Sequence, residues 1–270
     1  MTSTIASRAY GQVNDLVGEG VHWPYLFVQH AIRPYHLSQF RWHARDHRSF
    51  VVIQGQAELG VVGEFGDIST TRYDYLQGWH VRPGTVYQLS NATDRPLVIV
   101  EAGTATGESR ESAQAIALTE LATTFECPPV SYYTVHKPWG HEVWYAQNLD
   151  GAEYAMKQIH MTKGHQSSLQ SHERKAETNY VIEGEATVLN GTVAPANPDA
   201  VIDQDQLPAS THQPRTGWTS APHILHRVIA RSDYTSIEVS TPELDDVIRW
   251  QDDSGRRNGR IETEHSAGHE

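Results

Sequence analysis

The chain has a single cysteine, Cys127, in 270 residues. No intrachain disulfide can form, which points to a reducing compartment. Basic residues are scarce: 21 Lys and Arg stand against 33 Asp and Glu, a net charge of −12. A chain this acidic lacks the basic face that phosphate backbones require, so nucleic acid is excluded as a partner. A small anionic substrate held by a few local Arg or Lys residues is not. No apolar run approaches the ~20 residues of a membrane span, and the stretch Met1–Arg8 lacks the apolar core of a signal peptide. A cytoplasmic protein with no membrane association is the expectation. Gly/Ser-rich linkers and charge runs are missing too. Histidine, by contrast, is plentiful, at 16 residues, several of them in loops and the C-terminal tail.

At 38% hydrophobic and 20% charged residues, the chain can bury the core of one large or two ordinary domains. Most segments read as short strands of alternating or β-branched apolar residues between Gly, Pro, Asn and Asp, such as Phe50-Val51-Val52-Ile53, Leu97-Val98-Ile99-Val100 and Tyr180-Val181-Ile182. One Ala- and Leu-rich stretch, Glu111 to Thr123, predicts a helix, capped by Ser109 or Ser112 and followed by Pro128-Pro129. An internal repeat flanks it. Ser49-Phe50-Val51-Val52-Ile53-Gln54-Gly55 resembles Asn179-Tyr180-Val181-Ile182-Glu183-Gly184, and Gly78-Trp79-His80-Val81-Arg82-Pro83-Gly84 resembles Gly217-Trp218-Thr219-Ser220-Ala221-Pro222-His223. Two copies of one all-β unit, each an antiparallel barrel of two packed sheets, joined by a short helical linker, account for length and pattern. The boundaries expected are 1–104, a linker at 105–131, a second barrel at 132–250 and a polar tail at 251–270. One long irregular insert, Asn190 to Arg215, is either a lid or a surface insertion.

The second copy carries a cluster of metal-ligand types. Gln170 and His172 are two apart, so on a strand they share a face. Glu177 follows a short polar turn and returns on the next strand, and His226 offers a fourth ligand. One amide, two imidazoles and one carboxylate suit a divalent transition metal.

Several blocks in this half resemble the type II mannose-6-phosphate isomerases of the cupin superfamily. They are Lys137-Pro138-Trp139-Gly140, Tyr154 to Ile159, Ser168-Leu169-Gln170 with His172 and Ala176-Glu177, Pro222 to Arg227, Ile237-Glu238-Val239, and Asp245 to Arg249 ending at Asp253-Ser254-Gly255-Arg256. Together they span about residues 132 to 257. The resemblance implies two cupin (double-stranded β-helix, jelly-roll) barrels, with Gln170, His172, Glu177 and His226 holding a metal, zinc first and iron or manganese as alternatives. It implies a sugar or sugar-phosphate isomerase or epimerase working through an ene-diolate. Lys157 matches a family lysine and is expected to act as general base, its ammonium form disfavoured beside a bound cation. Arg256 matches a family arginine and is expected to hold a phosphate or the ene-diolate. A small-molecule substrate is the implied partner, and a homodimer is compatible with it. A cupin dioxygenase or decarboxylase acting on a small oxygenated acid, and a non-catalytic sugar-binding bicupin, are the competing readings. This chain departs from the family in three ways. A first cupin-like repeat stands where a nucleotidyltransferase is often fused, the 190–215 segment is long, and His223 replaces a usual Gly.

The first repeat serves as a control. Aligned on Gly55, Arg41, His43 and Arg48 stand where Gln170, His172 and Glu177 stand in the second, and Tyr87 stands for His226. Two guanidiniums repel a metal ion, so this repeat is expected to have lost its metal site and to serve a structural role. An anion pocket using Arg41, Arg48 and Arg82 is the alternative. Cys127 is expected to be structural, His223 either to ligate the metal or to sit behind its ligands or at the rim, and the tail residues His265 and His269 not to bind metal.

Overall fold

The computed structural model describes residues 5–18, 21–104, 107–197 and 200–261; His265 and His269 lie outside them. The chain forms two compact units, Met1–Ser131 with Asn148–Tyr154, and Tyr132–Gln147 with Ala155–Glu270. No helix among the described residues is long and apolar enough to cross a membrane.

The first unit is built from two antiparallel sheets. One runs in the order Ile5–Arg8, Gly11–Asp15, Tyr25–Ile32, Leu97–Thr104, Arg48–Gln54, Gly78–Val81, and the other runs Ser109–Ser112, Phe40–His43, Tyr87–Asn91, Ala57–Val62, Ile68–Tyr73. Alternation along the strands buries one face: Ile32, Phe50, Val52, Leu59, Trp79, Tyr87 and Ile99 form the core. Cys127 packs against that core, and burial pushes its thiol up to about 12, so it is inert.

The helix expected over Glu111–Thr123 is confined to Ile116–Thr119. Sheet pairing overrides the propensity of the rest. Ser109–Ser112 adds an edge strand to Phe40–His43, while Leu118, with Leu121 and Ala122, covers Phe40, Trp42 and Val86. Residues up to Ser131 therefore cluster with the first unit.

The second unit repeats the plan. Its first sheet runs Tyr133–Lys137, Gly140–Ala146, Ala155–Met161, Tyr234–Ser240, Glu177–Glu183, Gly217–Ser220. Its second runs Ala209–His212, Ala186–Val193, Ile224–Ala230, Leu169–Ser171, Ile248–Gln251, Gly259–Arg260. Within the segment expected as tail, Gly259–Arg260 adds an edge strand to this sheet, with Gly259 opposite Arg249. The 190–215 segment is not irregular throughout. Ala209–His212 pairs with Ala186–Leu189, and Ala194, Ile202 and Leu207 pack on Leu169, Leu225 and Trp250. Register confirms the internal repeat. Arg41 lies opposite Tyr87 as Gln170 lies opposite His226, and Arg48 faces Val81 as Glu177 faces Ser220. Gly55 and Gly184 end equivalent strands at φ of 80° and 75°. A Cβ there would meet a backbone carbonyl oxygen, of Pro96 or Asp233, so neither tolerates a side chain.

The position in the first unit that corresponds to the metal cluster is filled by charge pairs. Glu101 is fully buried and accepts from Arg41 Nη1 at 2.8 Å and Nη2 at 3.2 Å. His30 Nε2 lies 2.6 Å and Arg48 Nε 3.2 Å from its carboxylate. Burial works against this charge, but Arg41, His30 and Arg48 outweigh it and hold the carboxyl well below its ordinary range. Arg41 and Arg48 are therefore committed to Glu101, and the anion pocket expected from them with Arg82 does not form; Arg82 lines a separate cleft with His47 and His80. His43 Nε2 meets Tyr87 Oη at 3.0 Å.

Burial, reinforced by Arg48 and Arg41, lowers His43 to about 3, and burial with His47 and Arg82 lowers His80 to about 4. Both fall below the ordinary value of 6.5, so folding disfavours their protonated forms. Their contribution is complete above pH 6.5 and is lost as pH falls towards 4 and then 3. Stability of the first unit is therefore expected to decline from about pH 6.5, before the carboxylates titrate, by up to about 1.4 kcal/mol per pH unit for each histidine. Urea midpoints measured between pH 7.5 and 5 check this; a flat profile contradicts it.

Candidate metal centre

The two sheets of the second unit meet over a cavity of about 70 Å³, lined by Lys137, Glu142, Lys157, Gln170, His172, Lys175, Glu177, His226, Glu238 and Arg256 among others. Residues two apart on Leu169–Ser171 and beyond bring Gln170 and His172 to it, and the strand Glu177–Glu183 brings Glu177 from the opposing sheet. Ligand atoms of His172, Glu177 and His226, all buried, lie within 4.8 Å of one another. Gln170 joins them, its Nε2 3.2 Å from His226 Nε2.

The ring orientations are set from outside. His172 Nδ1 donates to the Asp246 carbonyl at 2.5 Å, so its Nε2 faces the cavity with a lone pair. That atom is buried and has no hydrogen-bond partner; Glu177 Oε2 lies 3.4 Å away and His226 is its ring neighbour. His226 Nδ1 donates to the Ile224 carbonyl at 3.0 Å, so its Nε2 also points inward, 3.3 Å from Glu177 Oε1. Burial lowers His226 to about 4, against the pull of Glu177, and keeps the imidazole neutral as ligation requires. For Glu177, burial is outweighed, chiefly by the Lys175 ammonium, and its carboxyl lies well below the ordinary range. Two inward lone pairs, an ionised carboxylate and outer hydrogen bonds that lock each ring form the donor set of a borderline divalent ion. Gln170 presents its NH₂ end to the cluster while its Oε1 accepts from Ser168 Oγ at 3.2 Å. To ligate through oxygen its amide must be reversed.

Asp246 also holds the ligand turn. Its carboxylate accepts from the backbone N–H of Glu173 at 3.2 Å and Lys175 at 2.9 Å, as well as from Arg174. His223 adopts φ of 64°, the left-handed region that explains why glycine is the usual residue there. Its N–H donates to the His172 carbonyl at 2.6 Å, and its exposed side chain is not among the cavity-lining residues. None of the described residues 190–215 lines the cavity.

Lys157 lines the cavity, but the expectation of a disfavoured ammonium is corrected. Its Nζ donates to Glu142 Oε1 at 2.7 Å and lies 3.5 Å from Glu238 Oε1. Burial opposes the charge, yet these two carboxylates raise the lysine above its ordinary value. Without a metal ion, the two carboxylates favour its ammonium form. Arg256 reaches the cavity with its charge matched by Asp252, whose Oδ2 accepts from Nε at 3.0 Å and Nη2 at 2.6 Å. Sequence reasoning missed Glu142, Lys175 and Glu238. Lys175 bridges Glu177 at 2.8 Å and Glu238 at 3.0 Å. Its place two residues before Glu177 was the available signal.

A family model described as the C-terminal domain of mannose-6-phosphate isomerase matches residues 129–197. The match takes in Lys157, Gln170, His172 and Glu177 and stops before His226 and Arg256. A search of the curated proteins returns no match. Among solved structures, Lactobacillus farciminis oxalate decarboxylase in a formate complex is 11% identical, with 92% of this chain and 86% of that one covered and a TM-score of 0.63. Procruciferin, an 11S globulin from Brassica napus, is 12% identical, with 91% and 84% covered and a TM-score of 0.65. Bacillus subtilis oxalate decarboxylase, studied for its Mn(II) centres, is 11% identical, with 92% and 77% covered and a TM-score of 0.63. The chain has the fold of a bicupin. Residues 129–197, most of them in its second unit, are similar to the C-terminal domain of mannose-6-phosphate isomerase.

Proposed function

We propose that the second barrel is a divalent-metal-dependent isomerase or epimerase of a sugar or sugar phosphate. The observation that carries this reading is the buried His172 Nε2, without a hydrogen-bond partner and facing Glu177 and His226. His172, Glu177 and His226 would hold the ion, with Gln170 as fourth ligand. When bound, a divalent ion supplies Lewis-acid polarisation of a substrate oxygen; zinc is the first choice for this donor set.

The remaining chemistry is proton transfer, and the cavity contains the groups for it. Glu142 and Glu238 flank Lys157. A carboxylate oxygen of Glu142 takes the proton from the carbon beside the substrate carbonyl and returns it to the neighbouring carbon. The Lys157 ammonium donates to the oxygen that gains charge as that proton leaves. Charge balance favours an anionic substrate. Lys137, Lys157 and Lys175 are matched by Glu142, Glu177 and Glu238, and Arg256 by Asp252. A divalent ion then leaves two positive charges for the substrate to neutralise.

The size of the cavity favours a second reading. About 70 Å³ is a small enclosed space, which suits a two- or three-carbon acid more readily than a whole sugar phosphate. Decarboxylation of such an acid is the alternative, and oxalate decarboxylases share the fold. Incubation of the metal-loaded chain with sugar phosphates in heavy water separates the two. Deuterium uptake beside the carbonyl supports the isomerase, whereas carbon dioxide release from small acids without exchange supports the alternative. Glu142→Gln is expected to slow exchange by about 10²–10⁴-fold with metal content unchanged. Exchange at the wild-type rate rules Glu142 out as the base.

A further inference from the structure

We propose that a second divalent transition-metal site lies on the opposite face of the same sheet, at His136, His141 and His160. The proposal does not rest on the function assigned to the cavity. Glu142 and Lys157 line the cavity, so His141, next to Glu142, and His160, three residues beyond Lys157, project to the other face. The strands Tyr133–Lys137, Gly140–Ala146 and Ala155–Met161 are neighbours, and their register puts His136 opposite His141 and His141 opposite His160. Three imidazoles therefore stand in one row.

The His141 and His160 ring centres are 4.9 Å apart, against 5.0 Å for His172 and His226 in the buried cluster. Two imidazoles that share one tetrahedral ion through one nitrogen each have ring centres about 5 Å apart, given metal–nitrogen bonds of ~2.0–2.1 Å. His160 also has the outer partner typical of a ligand. Its Nδ1 lies 3.1 Å from Oγ1 of the buried Thr235, which fixes the ring and leaves Nε2 for an ion. Burial, with His160 and His136 beside it, lowers the pKa of His141, which favours the neutral form.

His136 stands 6.4 Å from His141, centre to centre, and is exposed. It closes the site by rotating its side chain, and water completes the coordination. An all-imidazole set selects zinc, copper(II) or nickel over magnesium and calcium. With no anionic ligand and more solvent around it, this site binds more weakly than the buried cluster.

Equilibrium dialysis of the full chain against Zn²⁺, followed by metal analysis, tests the proposal. The wild type is expected to hold two ions per chain, the double variant His141→Ala/His160→Ala one, and His172→Ala one. The isosteric pair His141→Asn/His160→Asn is expected to lose the same ion as the alanine pair. A double variant of either kind that holds as many ions as the wild type overturns the site.

Discussion

Replacing His172 by alanine is expected to weaken divalent-metal binding at the buried cluster by more than 100-fold and to abolish turnover. The magnitude follows from its place in the site. Loss of an outer partner of a ligand costs about 10–100-fold in metal affinity, and His172 is one of only three imidazole or carboxylate ligands. Its Nδ1 is tied to the Asp246 carbonyl, so no other side chain takes over its inward nitrogen. Comparison with and without metal separates ligation from folding. Without metal, the variant loses the buried hydrogen bond from Nδ1 to the Asp246 carbonyl and leaves a cavity, so its apo form is expected to unfold at a lower denaturant concentration than the apo wild type. With metal at 1,000 times its dissociation constant, the wild type gains about 4 kcal/mol and the variant gains little. Unfolding curves with and without a chelator make the comparison. An equal chelator effect on both proteins contradicts the assignment.

The second large effect is expected in the first unit. Glu101→Gln keeps the shape of the side chain and removes the charge that Arg41, Arg48 and His30 surround. Glu101 is fully buried, and the Arg41 and Arg48 side chains are 13% and 5% exposed. Breaking such a group by removing one partner costs about 3–5 kcal/mol, because the opposite charges remain buried. Arg48 retains Asp46 at 3.1 Å, so the exposed penalty falls mainly on Arg41. Urea unfolding of the variant measures the loss, and adding Arg41→Met is expected to recover part of it. A loss below about 1 kcal/mol shows that the network contributes specificity rather than stability. Metal content is expected to stay at the wild-type level, since the cluster is built entirely from the second unit.

The two regions differ in how far they could be read from the chain. Gln170, His172 and Glu177 were legible because alternation along one strand and a short turn to the next suffice to bring them together. His226 was legible as a fourth ligand type in the Pro222–His226 segment, and its repeat partner Tyr87 sits in the same register. The state of Lys157 was not. Glu142 reaches it from 15 positions away in sequence and Glu238 from the neighbouring strand, and only the sheet order shows that two carboxylates outweigh burial. Asp246 was hidden in the same way, 74 positions from the ring it orients. Arg41 and Arg48 read as free guanidiniums because Glu101, their counter-ion, belongs to the strand Leu97–Thr104, which reads as purely apolar packing. The helix over Glu111–Thr123 failed at its N-terminal half because an open sheet edge at Phe40–His43 offered Ser109–Ser112 more hydrogen bonds than its own turns.

The central claim is that Gln170, His172, Glu177 and His226 hold one divalent ion. Anomalous diffraction from crystals of the zinc-loaded chain, collected at the zinc edge, tests it most directly. The account predicts a peak in the cavity about 2.0–2.2 Å from His172 Nε2, His226 Nε2 and a Glu177 oxygen. A zinc-loaded crystal with no peak there, whatever it shows elsewhere, would contradict it.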